Sequence, residues 1–382
     1  MSTHPLLFSP LQIRDVTLNN RVVVSPMCQY TAEGGYPVPH HLVHYGKFAM
    51  GGAGLIFLEA TGVTPEGRIT NGCLGLWEDE QTEALKPIAA YIKGQGSVPG
   101  IQLGHGGRKA SMQRPWHGNG PQTADDVARG DTIWQTIGAS AMALDDGWLQ
   151  PKEMTLDDMA ELKAAFAAAA GRAIKAGFEA IEIHMAHGYL LQTFLTPLAN
   201  HRDDAYGGSL ENRMRFPLEV AETVRAAVPD GMPLFVRISS VDGIEGGWEM
   251  ADSLVLVQEL KARGIDVIDC SSGGNTSKGS TNASLARGPG FQAPFAAEIK
   301  AKTGIMTQAV GLIREPQFAE DLLQNDSADL IALGRQLLFN PFWPVHAAEH
   351  FGLTGDYEAW PKQYAWWLEK WDKGLRANGE RP

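Results

Sequence analysis

The stretch that decides the fold is LDDMAELKAAFAAAAGRAIKAGFEAIEIHMAHGYL, residues 156–190. Its first part has the apolar spacing of a helix, and we expect this helix to end at Gly177, because glycine readily adopts the conformation that closes many helices. The apolar run AIEIHMA, residues 180–186, follows at once and predicts a buried strand. The stretch therefore predicts a helix that leads directly into a strand.

The same alternation of strand and helix recurs along the chain. Continuous apolar strands separated by helices are typical of a parallel sheet that helices cover. Eight such units predict an α/β protein with a (β/α)8 TIM barrel rather than an open sheet. The predicted strands are RVVVSPM (21–27), GLIFLEA (54–60), PGIQLGH (99–105), AIEIHMA (180–186), PLFVRIS (233–239), DVIDCSS (266–272), IMTQAVG (305–311) and DLIALGR (329–335).

We expect a single barrel domain with inserted loops. Residues 1–345 are predicted to form the barrel and an N-terminal lead, and residues 346–382 a C-terminal extension. The insertions are expected at 106–153 and at 271–290, the second of which is rich in Gly and Ser. In such a barrel the side chains at the carboxyl ends of the strands face a common pocket, where the chemistry is expected.

Charge and composition point to small-molecule partners. The 382 residues carry a formal net charge of −12, which argues against a broad nucleic-acid surface and against an anionic membrane patch. Since no run of 18 apolar residues and no secretion signal is evident, the cytoplasm is the expected location. The three cysteines, Cys28, Cys73 and Cys270, are far apart, which argues against disulfides, structural zinc and iron–sulfur clusters.

Polar or small residues stand at the ends of most predicted strands. Gly311 and Gly334 follow the last two strands, and Arg335 comes next. Either glycine alone is more often a turn residue, but this pair beside an arginine is also compatible with a phosphate site in the loops after strands seven and eight. The strand ends that should share one rim include Ser25, Pro26, Met27, Cys28, Ala60, Gln102, His184, His187, Arg237, Gly311, Gly334 and Arg335.

Two histidines lie three positions apart in HMAHGYL, residues 184–190. On a helical turn His184 and His187 could hold zinc with a third ligand from elsewhere, or they could simply form hydrogen bonds within the fold. Histidine at the carboxyl end of a barrel strand also suits a catalytic hydrogen-bond donor. The residues alone leave all three interpretations open.

Long segments of the chain resemble the Old Yellow Enzyme family of FMN-dependent ene-reductases. Within it the chain is most similar to the thermophilic-like branch, which includes bacterial NADPH dehydrogenases and xenobiotic reductases. The most specific segment is NHRDDAYGGSLENRMRF (200–216). Further matching segments are LFSPLQIRDVTLNNRVVVSPMCQY (7–30), HHLVHYGKFAMGGAGLIFLEATGVTPEGR (40–68), GIQLGHGGRKAS (100–111), GLIREP (311–316) and LIALGRQLLFNP (330–341).

The resemblance implies bound FMN, NADPH as a transient reductant and activated alkenes as substrates, namely α,β-unsaturated aldehydes, ketones, imides and nitroalkenes. It assigns His184 and His187 to the substrate's carbonyl or nitro oxygen, and Tyr189 to proton donation at the α carbon. No G-x-G-x-x-G dinucleotide motif stands between a strand and a helix, so NADPH and substrate should use one flavin face in turn, in a ping-pong cycle.

The resemblance also implies where the flavin would lie. Cys28, which would lie beneath the flavin ring, would also contact the substrate, and so would Tyr30. No metal is expected. Contacts from residues 272–290 cannot be carried over, because that loop differs from the family pattern. The implied flavin residues are Ser25, Pro26, Met27 and Cys28 beneath the ring, Ala60 and Gln102 at its pyrimidine end, Arg237 near N1 and O2, and Gly311, Gly334 and Arg335 at the phosphate.

Two other functions remain as alternatives at this point. One is a metal-dependent barrel hydrolase that uses His184 and His187 as ligands, and the other is a non-catalytic flavin-binding protein. Among flavin barrels, the nearest competing type is a 2,4-dienoyl-CoA reductase. Such an enzyme would need a cluster-binding group of cysteines and further domains, for which three scattered cysteines and 382 residues leave no room.

The C-terminal segment YAWWLEKW, residues 364–371, holds three of the ten tryptophans. Such an aromatic tail either folds back on its own barrel or forms an interface, because exposed apolar patches often mark interfaces. The resemblance implies a homodimer or a dimer of dimers, in which Trp367 lines the active site of the neighbouring subunit.

Overall fold

Eight parallel strands close a barrel, as the sequence predicts. The structure is a computed structural model and describes residues 5–276, 285–353 and 357–380. Each strand pairs in parallel with the next along the chain, and β8 pairs with β1 to close the ring. The barrel strands are β1 Val22–Val24, β2 Leu55–Gly62, β3 Val98–Gly104, β4 Ala180–Met185, β5 Leu234–Ser239, β6 Val267–Ser271, β7 Met306–Val310 and β8 Leu330–Leu333.

One helix follows each strand on the outside of the barrel. In the stretch that opened the sequence analysis, Thr155 caps α3 by accepting a hydrogen bond from the Asp158 amide, and Gly177 closes it with φ of +96°. The apolar face of α3 then packs into the main core. The outer helices are α1 Pro39–Met50, α2 Asp79–Gly94, α3 Leu156–Ala176, α4 Leu210–Ala227, α5 Met250–Ala262, α6 Ala293–Thr303, α7 Pro316–Gln324 and α8 Trp343–His350.

The amino-terminal end of the barrel is filled by apolar side chains. A short antiparallel hairpin, Leu11–Ile13 and Val16–Leu18, covers this end. Ile13 and Leu18 of the hairpin join one buried cluster with inward-facing strand residues such as Phe57 and Phe235, whose rings meet edge to face at 5.1 Å. Because this end is packed with side chains, the polar residues are left to the opposite, carboxyl end.

The inserted and terminal segments contain only short elements or a single helix. Residues 106–153 include the short helix Ala124–Ala128 and a two-residue strand pair, Ile137–Gly138 with Lys152–Glu153. Of the insertion predicted at 271–290, residues 277–284 lie outside the described residues. Two further short helices, Leu190–Leu195 and Arg335–Phe339, follow β4 and β8, and the helix Lys362–Ala377 lies near the C-terminus. No helix in the described part of the chain is both long and apolar enough to span a membrane.

Candidate active site

One large cavity opens at the carboxyl ends of the barrel strands. Its volume is about 500 Å³, which lies within the range of small-molecule sites. Trp367 does not line this cavity within its own chain. All the other residues that the sequence singled out for a site do line it, namely Ser25, Pro26, Met27, Cys28, Tyr30, Ala60, Gln102, His184, His187, Tyr189, Arg237, Gly311, Gly334 and Arg335.

A buried carboxylate anchors the wall formed by residues 25–30. The pairing of β2 with β3 shifts register at Glu59, which is fully buried, and the next residue, Ala60, lines the cavity. Such bulges commonly redirect side chains beside active sites. Glu59 accepts hydrogen bonds from the Gln29 amide at 3.0 Å and from the Tyr45 hydroxyl at 3.3 Å. This anchor, which holds the segment that carries Cys28, was not predicted from the sequence.

Cys28 is a protonated thiol in this wall. Its hydrogen bond with Cys73 and its burial raise the pKa of the Cys28 thiol well above the usual value. Tyr30 lies nearby in the same small apolar cluster. At neutral pH this side of the cavity therefore presents a neutral sulfur and a neutral phenol.

His184 lies on β4 directly beside Arg237 of β5 in the strand register. Its Nδ1 accepts a hydrogen bond from the Ala186 amide at 3.3 Å, which leaves Nε2 as the protonated nitrogen of the neutral ring. Burial, Arg237 and Lys109 lower the pKa of His184 well below its usual value. His184 is therefore a neutral imidazole with one N–H to donate.

A chain of hydrogen bonds ends at His187. Gln292 Nε2 donates to Ser271 Oγ at 2.9 Å and to Ser272 Oγ at 3.0 Å, and Ser271 Oγ lies 2.6 Å from His187 Nε2. Burial, the Arg237 charge and His184 lower the pKa of His187, so its ring is also neutral. Nothing in the sequence pattern indicated Ser271 or Gln292 as partners of this histidine.

The loops that follow β4 and β6 are pressed together around His187. A Cβ on Gly274, whose φ is +112°, would lie 2.2 Å from the Cα of His187, so only glycine fits there. Lys109 Nζ donates to the carbonyl oxygens of His187 at 2.8 Å and of Gly274 at 3.1 Å. Burial, with a smaller contribution from Arg108, lowers the pKa of Lys109 to about 7. Lys109, which the sequence analysis also missed, thus fixes the backbone that carries the histidine.

Tyr189 completes this side of the cavity. Its ring meets the His184 ring edge to face, with centroids 4.9 Å apart, and Lys109 Nζ lies 5.0 Å from its centroid. Burial and the neighbouring Cys28 raise the pKa of the Tyr189 phenol well above its usual value. The phenol is therefore protonated throughout the physiological range and has a proton to donate.

Two polar side chains line the floor of the cavity. Arg237 donates to Ser25 Oγ at 3.2 Å and forms an ion pair with Asp269, in which Nε lies 3.2 Å from Oδ2. Gln102 Nε2 donates to Glu182 Oε1 at 2.6 Å. With its amino group so engaged, the Gln102 amide leaves its carbonyl oxygen available to the cavity.

Two arginines line the end of the cavity beside β7 and β8. Arg314 and Arg335 lie near Gly311 and Gly334, and within the described residues neither guanidinium forms an ion pair or a side-chain hydrogen bond. Two such cations at one end of a cavity suit an anionic group such as a phosphate. Arg335 was predicted from the sequence as a phosphate residue, and Arg314 was not.

The described residues offer no obvious metal centre. Nowhere among residues 5–276, 285–353 and 357–380 do three His, Cys, Asp or Glu side chains come together in a group that could hold a metal ion. His184 and His187 are neutral rings that stand among Tyr189, Lys109 and Arg237.

Comparison with known proteins identifies the family. Residues 6–353 match the model of the NADH:flavin oxidoreductase / NADH oxidase family, which includes the Old Yellow Enzymes. The chain belongs to this family. It is 43% identical over 345 residues to an NADPH dehydrogenase of Bacillus subtilis strain 168, which covers 90% of this chain and 94% of that relative.

Solved structures agree with this family assignment. The Old Yellow Enzyme homologue from Zymomonas mobilis is 28% identical, with a TM-score of 0.74, over 94% of this chain and 99% of that one. A 2-naphthoyl-CoA reductase is 25% identical with a TM-score of 0.80, and the chain spans about half of it, since 90% of this chain covers 52% of that protein. The protein is thus a flavin-dependent oxidoreductase of the Old Yellow Enzyme family, with FMN as cofactor and NADPH as reductant. A metal-dependent hydrolase and a non-catalytic protein do not fit this family.

The cavity suits the FMN that family membership implies. Arg314 and Arg335 match its phosphate, and the carbonyl oxygen of Gln102 and the cation of Arg237 match the polar edge of its ring. When bound, FMN supplies the two-electron chemistry that side chains cannot provide. The residues of the chain must then bind the substrate, orient it and donate a proton to it.

Proposed function

We propose that the protein is an ene-reductase, which uses NADPH to reduce carbon–carbon double bonds conjugated to a carbonyl or nitro group. The proposed substrates are α,β-unsaturated aldehydes, ketones, imides and nitroalkenes. The observation that carries the proposal is that the neutral rings of His184 and His187 and the protonated phenol of Tyr189 line one cavity together. Two N–H donors and one acid are what this reduction requires from a protein.

The two histidines would bind the activating oxygen of the substrate. Reduction of a conjugated alkene places negative charge on that oxygen, and fixed N–H donors stabilise the charge as it develops. Because both imidazoles are neutral, they donate hydrogen bonds without transferring a proton. The oxygen would thereby be held, and the double bond oriented, in every turnover.

Tyr189 would protonate the α carbon. Its phenol stays protonated in the buried site, so a proton is available when the alkene gains its hydride at the β carbon. Cys28, Tyr30 and the two histidines would surround the substrate. The cavity is shared by the cofactor and substrate residues, so NADPH and the alkene would enter it in turn, which is a ping-pong cycle.

Isotope labelling tests this function. With an enone and NADPH carrying deuterium at the transferred position of the nicotinamide, we expect deuterium at the β carbon of the saturated product. In heavy water with unlabelled NADPH, we expect deuterium at the α carbon instead. Loss of NADPH without any saturated product, across a panel of enones and nitroalkenes under anaerobic conditions, would contradict the proposal.

We also propose that Ser271 fixes the proton position on His187. The Ser271 oxygen accepts from Gln292, so the hydroxyl can donate to His187 Nε2 and leave the proton of the ring on Nδ1. Ser271→Ala should therefore lower kcat/KM for an enone about fivefold to tenfold, the effect of one hydrogen bond of roughly 1 kcal/mol.

Ser272→Ala is the matched control for that change. Ser272 accepts from the same Gln292 amide and is fully buried, but no hydrogen bond joins it to His187. We expect nitrogen NMR of labelled histidine to show an altered proton position on His187 only in Ser271→Ala. Equal effects of the two substitutions on kinetics and spectra would mean that the serine acts only through packing.

The C-terminal helix presents an aromatic surface that its own barrel leaves uncovered. Trp366, Trp367 and Trp371 are 51%, 66% and 56% exposed, while Tyr364 stacks near Phe342 at 6.2 Å. We propose that this surface joins two subunits in a homodimer or a dimer of dimers, and that Trp367 reaches the substrate cavity of the neighbour. The extension predicted at residues 346–382 begins within α8, Trp343–His350, whose Ala347 packs into the main core, and the helix that carries this surface is Lys362–Ala377. The cytoplasm as the place of action stays a prediction.

Removal of residues 362–382 should weaken the dimer and change KM for the alkene, while the FMN residues within each barrel stay intact. Light scattering and steady-state kinetics would measure the two effects. Trp367→Ala and Trp371→Ala are a matched pair on the same exposed helix, and only the first is expected to change KM. A shortened protein that stays dimeric with unchanged kinetics would contradict this arrangement.

A further inference from the structure

Two acidic side chains are buried inside the barrel beneath the cavity. Glu182 lies on β4 and Asp269 on β6, and neither has any exposed surface. Between them runs β5, whose Arg237 is the register partner of Asp269. Buried carboxyl groups are costly unless they are paired, so this arrangement requires a chemical explanation.

Each acid holds one of the two polar residues of the cavity floor. Arg237 Nε lies 3.2 Å from Asp269 Oδ2, and Gln102 Nε2 donates to Glu182 Oε1 at 2.6 Å. Glu182 Oε2 is fully buried, and no protein donor within the described residues bonds to it. The acids therefore act on the cavity through Arg237 and Gln102, while Glu182 Oε2 and Asp269 Oδ1 are left without a donor within the described residues.

The absence of donors for Glu182 Oε2 and Asp269 Oδ1 is explained if the two carboxyl groups hydrogen-bond to each other. The strands that carry Glu182 and Asp269, β4 and β6, both pair with β5, and both acids are fully buried beside it. Two carboxylates cannot form such a bond, because both are only acceptors, so one of them must carry a proton. The same pattern of two carboxyl groups that share a proton is known wherever like charges are too close to ionise together.

The environment favours Glu182 as the protonated member. Burial and the negative charge of Asp269 raise the pKa of Glu182 well above its usual value. Burial also raises the pKa of Asp269. Arg237 opposes the rise in both acids, but its ion pair at 3.2 Å is with Asp269. The ion pair with Arg237 thus keeps the charge on Asp269, and the proton belongs on Glu182.

We propose that Glu182 and Asp269 hold a single proton, carried by Glu182, and that the one negative charge left on the pair balances Arg237 and so sets the reduction potential of the bound flavin. Both acids are positioning residues, since neither lines the cavity. The inference depends on the FMN of this family and not on the proposed alkene substrates, so it can hold even if those substrates are wrong.

The sign of the effect follows from the charge. An unbalanced Arg237 would stabilise the negative charge that reduction adds nearby, and the potential would rise. Glu182→Gln replaces a neutral acid with a neutral amide of the same shape that can still accept from Gln102. It should therefore leave the charge, and with it the potential, unchanged.

Redox titration of the FMN-bound protein tests the proposal. We expect Glu182→Gln to keep the wild-type potential, and the double variant Glu182→Gln/Asp269→Asn to raise the reduction equilibrium constant about tenfold to a hundredfold, which is about 30–60 mV for two electrons. A rise in Glu182→Gln as large as in the double variant would place the charge on Glu182. An unchanged double variant would show that the pair does not set the potential. Either result would overturn the proposal.

Infrared spectroscopy provides a second test that works even if the variants fail to fold. The wild-type holoprotein should show the C=O band of a protonated carboxylic acid at neutral pH. The band should shift when the glutamate carboxyl groups alone carry ¹³C, and it should not shift when only the aspartates are labelled. A spectrum with no glutamic acid band at neutral pH would contradict the proton on Glu182.

Discussion

Replacing His184 by alanine is expected to lower kcat/KM for an activated alkene about 100-fold to 1000-fold, the usual cost of one lost oxyanion donor. His184 is a neutral ring whose Nδ1 accepts from a backbone amide, so Nε2–H is the donor that the substitution removes. His187→Ala is expected to have an effect of the same order. Stopped-flow measurement of each half-reaction would locate the loss.

The protein should remain yellow in both histidine variants, because neither ring occupies the phosphate end of the cavity. The alkene half-reaction should slow most. Flavin reduction by NADPH should slow less, because there the histidines would only help to orient the nicotinamide. A His184→Ala protein that reduces an enone at the wild-type rate would remove this residue from the mechanism.

Replacing Tyr189 by phenylalanine is expected to slow the alkene half-reaction about 100-fold or more, the usual contribution of a positioned acid. The substitution removes only the hydroxyl group, so the edge-to-face contact with His184 is retained. The half-reaction with NADPH needs no proton from this residue and should keep its rate. If both half-reactions match wild type, water or another group protonates the α carbon.

The architecture of the protein could be predicted because each barrel strand is a continuous apolar run. The predicted strand at 180–186 is observed as Ala180–Met185, and the helix before it ends at Gly177. The first strand is shorter than predicted, Val22–Val24 rather than 21–27, because Ser25 and the residues after it leave the barrel to form a cavity wall. The spacing of apolar residues and the turn residues thus determine which helices and strands form, while the ends of those elements depend on tertiary contacts.

The cavity residues could be predicted for a related reason. The barrel places strand ends such as His184, Arg237 and Gly311 on one rim regardless of their separation in sequence, so a list of strand ends is already a list of site candidates. Their chemical roles came from the resemblance to the family and remain proposals.

The supporting contacts could not be predicted, because they join residues far apart in the chain. Ser271 and His187 are separated by 84 positions, and Lys109 reaches the His187 carbonyl across 78. Glu182 and Asp269 are visible as acids inside the apolar runs AIEIHMA and VIDCS, which is a signal of a buried polar network. The pairing of β4 and β6 with β5 places them on either side of the strand that carries Arg237.

The most direct test of the central claim is an anaerobic two-step experiment on the purified protein. NADPH is added first and an enone second, while the flavin absorbance is recorded. We predict a yellow protein that bleaches with one equivalent of NADPH and regains its colour with the enone, and that yields one equivalent of saturated product. A protein that bleaches with NADPH but stays bleached with every enone and nitroalkene tried would contradict its assignment as an ene-reductase.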